Sequence, residues 1–498
     1  MRNGGAWGAR WGGWLAMAAM LASCGGGDGS SGGGSGTAGG AAGGTTGSTG
    51  GSTGTGTGSS TNAGCTLAAR QQWLLAQMNE WYLFPETLPT GLDPAAYTDL
   101  STYLDALTAT ARAQGRDRYF SYVTSVAEEN AYYNSGSTAG FGIRLALDTS
   151  NQLFVIESFE NGPALNAGID RGTQIVGIGT SSSTVRTVSD IIASQGTDGL
   201  TDALGPDDSG VQRVMRIRDA AGTRDVTLAK ADFTLSPLSS RYGYRIIADG
   251  GRQVGYVNLR TFISTANDQL RTAFAAFRAQ GINQVIVDLR YNGGGLVSVA
   301  ELLTNLLGAD RSTADVQAYT TFRTSKSSQN KTTYFAPPTQ AIAPMKIAFI
   351  GTGRTASASE YVINAMIPYL HGNAALIGSN TYGKPVGQIA LDNPACPDDR
   401  LRVIAFALQN AARQGDYFNG LASKVEASCQ ASDDISYQLG DANEASTRAA
   451  LDFLAGRSCT RIGATASVDR AAAIDAPERR LLTPADASTP QRELPGLF

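Results

Sequence analysis

Lys346-Ile347-Ala348-Phe349-Ile350-Gly351 is followed, after Thr352, by Gly353-Arg354-Thr355-Ala356-Ser357-Ala358-Ser359-Glu360. The hexapeptide is a near-continuous apolar run and reads as a strand buried on both faces. Beyond the loop, Ala358, Tyr361, Val362, Ala365, Met366 and Tyr369 recur at helical spacing and predict an amphipathic helix. Strand, small-residue loop and helix make one unit of an α/β fold, and the pattern repeats on either side. Strands are expected over 254–262, 284–290, 374–378 and 402–407, and a helix over 268–280. Leu296, Val299, Ala300, Leu303, Leu306 and Leu307 mark one face of another. Residues 233–459 are therefore expected to form an α/β core whose strand-ending loops hold a site.

The 353–360 loop has two readings. A serine at a strand-to-helix turn is exposed near the positive end of a helix and is a candidate nucleophile. The G-x-S-x-G elbow is absent, however, and Ser357-x-x-Glu360 also fits a capping box, worth about 1 kcal/mol without any catalysis. A second loop, Thr381-Tyr382-Gly383-Lys384-Pro385-Val386-Gly387-Gln388, follows the next strand. Six lysines stand against thirty-three arginines in the chain. A lysine between glycine and proline is either a selected amine or a solvated surface cation. Residues 378–384 also spell G-x-x-x-x-G-K, but Pro385 stands where a P-loop needs Ser or Thr for magnesium. No cofactor and no metal site are expected.

Mechanism is narrowed by the single histidine, His371. A helix running from Ser357 to Leu370 is about 20 Å long, which places His371 at the wrong end for a Ser-His-Asp triad. A Ser–Lys dyad removes that need. It requires a neutral lysine near pH 7–8, roughly 3 units below the usual 10.4, or about 4 kcal/mol.

Residues 136–232 carry short β-rich runs with one short helix at Pro163-Ala164-Leu165-Asn166-Ala167-Gly168. Their order resembles a PDZ domain, with Gly140-Phe141-Gly142-Ile143 as the carboxylate-binding loop and 172–178 as its next strand. In such a module, backbone N–H groups hold a carboxylate and a strand edge accepts the peptide. A side chain at Gly142 would obstruct that approach. Residues 65–135 read as an N-terminal helical segment, with Leu67, Leu74, Met78 and Trp81 at helical spacing. Residues 460–498, rich in Ala, Arg, Asp and Pro, read as a poorly structured tail.

Taken together, the PDZ-like segment, Val287-Asp288-Leu289-Arg290-Tyr291-Asn292-Gly293-Gly294-Gly295, the Ser-Ala-Ser-Glu loop and the Tyr-Gly-Lys loop resemble the C-terminal processing, or tail-specific, serine peptidases over roughly residues 136–430. That resemblance implies Ser357 as nucleophile, Lys384 as general base and Gln388 as the polar residue that orients the lysine. It also implies an oxyanion hole from the amides of Ala358 and Gly294. Ser357 and Lys384 lie 27 residues apart, slightly more than the family's spacing, with the excess placed in 368–373. Other readings of the same residues are a non-catalytic peptide-binding scaffold and a Ser–Lys hydrolase of small esters.

The chain begins as an export signal. Arg2 and Arg10 precede a short apolar stretch ending in Leu21-Ala22-Ser23-Cys24, too short to span a bilayer. It resembles the lipobox of bacterial lipoproteins, which implies a lipid on Cys24. Gly25, where inner-membrane retention would want Asp, implies the outer membrane of a bacterial cell envelope. Residues 25–64 hold nineteen of the sixty glycines and form a tether of roughly 35 Å r.m.s. reach. Four further cysteines, Cys65, Cys396, Cys429 and Cys459, show no metal-binding spacing and suggest two disulfides. The expected pairing is Cys396–Cys429 and Cys65–Cys459. A net charge of −4 over 498 residues argues against nucleic acid, and the resemblance to the tail-specific peptidases implies protein or peptide substrates as partners.

Overall fold

The computed structural model describes residues 65–463 and 479–498. The signal segment, Cys24 and the tether lie outside the described residues.

A six-stranded sheet forms the core. Its strand order is Tyr244–Asp249, Arg252–Asn258, Gln284–Asp288, Lys346–Gly351, Ala374–Gly378, Ala427–Gln430. The first pair is antiparallel and the rest are parallel. On one face Phe274, Phe277, Leu303, Val362 and Met366 pack against Val257, Val285 and Phe349. These come from the helices Ala266–Ala279, Val297–Leu306 and Ala358–Leu370. On the other face the helix Ala445–Leu454 covers Ile286, Ala348 and Ile377 with Leu451 and Leu454. Burial on both faces explains the unbroken apolar runs of the central strands.

The strand expected at 402–407 belongs elsewhere. It is the middle of Asp399–Gln409, in a second, antiparallel sheet with Tyr122–Ser125, Val316–Phe322, Lys331–Tyr334 and Val386–Asp392. The N-terminal helices Leu67–Trp81 and Leu100–Ala113 lie on this sheet, with Leu74, Met78, Leu104 and Leu107 against Val386, Leu401, Val403 and Ile404. A mixed α/β fold with an N-terminal helical segment is thus what the chain adopts.

In the β-rich module the strands Ile143–Leu147, Leu153–Ser158, Gln174–Gly179, Gln212–Asp219 and Gly222–Ala229 neighbour one another in that order. Two helices, Val188–Gln195 and Asp198–Leu204, cover it through Ile191, Leu200 and Leu204.

The tail departs from expectation. Within 479–498 a strand, Arg480–Leu481, and a helix, Thr489–Glu493, are formed. Leu481, Leu482, Leu494, Leu497 and Phe498 are buried. The segment has no apolar periodicity of its own, because its few large side chains insert into clusters built by other elements.

The disulfides differ from the expected pairing. Cys65 bonds Cys396 and Cys429 bonds Cys459. Cys65 precedes a helix that docks on the second sheet, where Arg70 also pairs with Asp399, so its partner is the hairpin at 393–398. Cys429 ends a core strand, and the chain returns to it directly after the covering helix. Each bond is expected to contribute about 2–4 kcal/mol. Mass mapping without reductant should yield these two linked pairs and no alkylated thiol. Stoichiometric alkylation would contradict the structure.

Candidate active site

Three loops meet where the parallel strands end: 289–295, 352–360 and 379–385. Their stitching is largely backbone to backbone. Ala356 N–H donates to the Asn292 carbonyl at 3.0 Å and Tyr382 N–H to the Thr355 carbonyl at 2.9 Å. The Thr355 hydroxyl donates to the Leu289 carbonyl at 2.8 Å and the Ser359 hydroxyl to the Asn292 carbonyl at 3.1 Å. Ser359 is fully buried in this role, so it faces the 289–295 loop rather than the lysine.

Ser357 sits immediately before the helix Ala358–Leu370 with φ 55° and ψ −112°. This conformation is rare for a residue with a Cβ and costs about 1–3 kcal/mol. It is held because the loop is bonded on both sides. Ala358 is the first residue of the helix, so its N–H has no acceptor within the helix. Gly294 lies opposite. A Cβ there would sit 2.9 Å from Ser357 Cβ and 3.3 Å from Ala358 N, and its φ is +125°. Only glycine fits that approach. Gly294 and the start of the helix at Ala358 thus lie close against Ser357. In this structure Gly294 N–H donates to Asn292 Oδ1 at 2.9 Å, so a substrate oxygen would share or displace that bond.

Glu360 clasps the serine loop to the lysine loop. Its buried carboxylate accepts Ser357 N–H (3.0 Å), the Thr381 hydroxyl (2.6 Å), Gly383 N–H (2.7 Å) and Lys384 N–H (2.7 Å). Burial raises the carboxyl above its usual range, and these four donors oppose that shift. The capping reading and the site reading are therefore compatible: one carboxylate closes the helix start and fixes the lysine loop.

Lys384 is half-buried. Its Nζ stands 3.4 Å from Gln388 Oε1 and 5.2 Å from the centre of the Phe120 ring. Gln388 donates through Nε2 to the Phe120 carbonyl, which aims Oε1 at the amine. Burial pushes the Lys384 amine below its usual range. Glu493 and Asp117 oppose this, while Arg402 and Arg492 assist it. The sequence around Lys384 contains no acidic residue between Gly372 and Ala390, yet folding brings Glu493 and Asp117 near enough for their charges to favour the protonated amine. The N-terminal segment also reaches this loop, where Arg118 donates to the carbonyls of Tyr382 (2.8 Å) and Gly383. Neither Phe120 nor Arg118 carries a sequence signal for that role.

His371 closes the far end of the 13-residue helix. Its ring is 67% exposed and Nδ1 lies 2.8 Å from Glu426, away from Ser357. In the β-rich module, Gly140, Phe141, Gly142 and Ile143 lie at one end of its sheet. A Cβ on Gly142 would strike Gly162 Cα at 2.6 Å, whereas one on Gly140 would meet the Phe498 carbonyl carbon at 2.7 Å. A side chain at Gly142 would thus strike the Gly162 turn, and one at Gly140 the backbone of Phe498. Among the described residues no group of three or more His, Cys, Asp or Glu is placed to hold a metal ion.

A strained serine at a helix start and a partly buried lysine are thus tied through their backbone amides to one buried carboxylate. Residues 253–408 match the model of peptidase family S41, and residues 69–122 match the peptidase S41 N-terminal domain. The chain is similar to the chloroplastic carboxyl-terminal-processing peptidase 2 of Arabidopsis thaliana, 30% identical over 32% of this chain and 30% of the relative. It is also similar to the chloroplastic C-terminal processing peptidase of Tetradesmus obliquus, 28% identical over 52% of this chain and 54% of the relative. The chain thus spans about half or less of the curated relatives it matches. A crystal structure of a Bacteroides fragilis protein assigned to the S41 proteases shares the fold, with TM-score 0.60 and 24% identity over 77% of this chain and 97% of that one. The core of the chain and its N-terminal segment are thus similar to peptidase family S41, whose members are serine-type peptidases.

Proposed function

We propose that this protein is a lipid-anchored, extracytoplasmic serine endopeptidase that cuts unstructured or C-terminal segments of proteins with a Ser357–Lys384 dyad. The observation that carries this reading is the Glu360 clasp, because one buried carboxylate binds the backbone of both Ser357 and Lys384.

In the mechanism, neutral Lys384 takes the proton of the Ser357 hydroxyl as its oxygen attacks the scissile carbonyl carbon. The oxyanion is received by the Ala358 and Gly294 amides. The tetrahedral intermediate collapses, the C–N bond breaks, and the ammonium of Lys384 returns the proton to the leaving amine. Water, deprotonated by Lys384, then hydrolyses the acyl-enzyme and restores Ser357. Gln388 keeps the amine oriented throughout. The PDZ-like module, through Gly140, Phe141, Gly142 and Ile143, holds the substrate segment. An acyl chain on Cys24 and the 25–64 tether keep the enzyme at the bacterial envelope.

The deciding experiment is incubation of the full chain with an unfolded protein, wild type beside Ser357→Ala. Fragments from wild type alone support the reading, and equal cleavage removes it. The pH profile is a second check. The active amine is the deprotonated one, and its pKa lies below the usual lysine value. The rising limb of kcat/KM should therefore have its midpoint below the roughly 10.4 of a solvated lysine. A midpoint at or above that value would contradict the assignment.

A further inference from the structure

The strand Ile143–Leu147 has one edge paired with Leu153–Ser158. Its other edge, the one a peptide would join, is occupied by this chain's own tail. Arg480 and Leu481 pair antiparallel with Leu147 and Ala146, and Leu482 N–H donates to the Leu145 carbonyl at 3.0 Å. The chain then leaves the edge, forms the helix Thr489–Glu493, and returns. Leu145 N–H donates to the Gly496 carbonyl at 2.8 Å. Phe498 N–H donates to the Ile143 carbonyl at 2.9 Å, and Ile143 N–H donates to the Phe498 carbonyl at 3.2 Å. The Phe498 ring is 2% exposed and belongs to the cluster of Phe141, Ile143 and Leu145.

The excursion between these two stretches touches the site. Gly293 N–H, one residue before Gly294, donates to the Glu493 carbonyl at 2.9 Å. The Glu493 carboxylate accepts the Tyr133 hydroxyl at 3.0 Å. One continuous segment therefore runs from the 289–295 loop, whose Gly294 approaches Ser357, to the 140–143 loop. A strand edge offers a single row of N–H and C=O groups and cannot serve two peptides at once.

We propose that residues 493–498 are an intramolecular ligand of the peptide-acceptor edge, and that an external peptide with a large apolar residue at the position of Phe498 must displace them before it is cut. This rests on the reading of 136–232 as a peptide acceptor. Displacement frees both backbone groups of Ile143, the Leu145 N–H and the apolar pocket, and it also frees the amide of Gly293, next to Gly294. The device couples substrate recognition to opening of the site.

The test uses the full chain carrying Ser357→Ala, so that bound peptide is not cut, and a fluorescent peptide Leu-Pro-Gly-Leu-Phe. Adding Phe498→Asp should tighten binding of this peptide at least tenfold relative to the parent. Equal affinity overturns the occupancy in cis and leaves the peptide-acceptor reading standing. Binding by neither form, while wild type still cuts unfolded protein, overturns both of these and leaves the dyad reading intact.

Because Phe498→Asp exposes the module to misfolding, hydrogen exchange on the chain with an unaltered tail is the second measurement. Amides of 494–498 and of Gly293 should exchange slowly, and those of 494–498 should speed up as the peptide is added. Exchange indifferent to peptide overturns the proposal. A third readout is Glu493→Gln. Among the charges facing Lys384, Glu493 and Asp117 favour the protonated amine, while Arg402 and Arg492 disfavour it. Removing the Glu493 charge should move the rising limb of kcat/KM to lower pH, and an unmoved limb contradicts the coupling of the tail to the site.

Discussion

Lys384→Arg reduces peptide hydrolysis to near background while leaving the protein folded. The guanidinium stays protonated at any working pH and cannot accept the Ser357 proton, although it retains length and charge. Lys384→Ala and Ser357→Ala have the same outcome, each a loss of about 10³-fold or more. The double variant is no worse than either single one, because the two groups act as a unit. His371→Ala retains most activity, since the ring is exposed beside Glu426 at the far end of the helix. Ser359→Ala is milder than Ser357→Ala, since it removes one hydrogen bond to the Asn292 carbonyl, worth about 1 kcal/mol. The measurement is initial rate on an unfolded protein, with circular dichroism as the folding check. Wild-type turnover by Lys384→Arg, or loss of activity in His371→Ala, would mean that the site lies elsewhere.

Glu360→Ala lowers the unfolding free energy by about 3–5 kcal/mol and abolishes hydrolysis. The carboxylate satisfies three backbone N–H groups and one hydroxyl in a buried position. Removing it leaves buried donors without an acceptor, each costing about 1–3 kcal/mol and not additively. Ser357 then loses the tie that holds its unfavourable backbone angles, and Lys384 loses its anchor to the serine loop. Glu360→Gln separates the two effects. It is isosteric but turns an N–H₂ toward donors, so it should fold better than Glu360→Ala and still fall well short of wild-type rate. Urea unfolding and initial rates measure both. A Glu360→Ala variant with the stability and rate of wild type would remove the clasp from the argument.

Gly294 illustrates how a motif can be read from sequence and yet be explained only by shape. Its place in a Gly-Gly-Gly run after a buried strand marks a tight loop, but the 2.9 Å approach to Ser357 Cβ depends on two loops 63 residues apart in sequence. The core strands 346–351 and 374–378 were legible to the residue, because strands buried on both faces show up as unbroken apolar runs bounded by glycine. The strand Val386–Asp392 was not legible, and neither was the sheet it belongs to. Its alternating, half-exposed pattern is short, and it pairs with Asp399–Gln409, whose other partners Tyr122–Ser125 and Val316–Phe322 come from far away along the chain. The disulfide pairing failed for the same reason. Proximity of Cys65 to Cys396 follows from a helix docking on that sheet, which no spacing encodes.

By itself the sequence determined the alternation of buried strands and amphipathic helices, and it placed Ser357 and Lys384 on strand-ending loops. It did so because periodicity and loop residues are local properties. Tertiary structure alone decided the rest. It turned Glu360 from a helix cap into a clasp, it brought Phe120 to aim Gln388, and it set Glu493 and Asp117 against a lysine with no acidic neighbour in sequence. It also ordered a tail whose composition promised none. Within their own segment Leu497 and Phe498 find only Leu494 and Leu482, and most of the apolar surface that buries them exists only once the β-rich module and the helix Val126–Ser135 are in place. Hydrophobic burial is paid by whichever surface is near in space, and nearness in space across hundreds of residues is what one-dimensional patterns do not record.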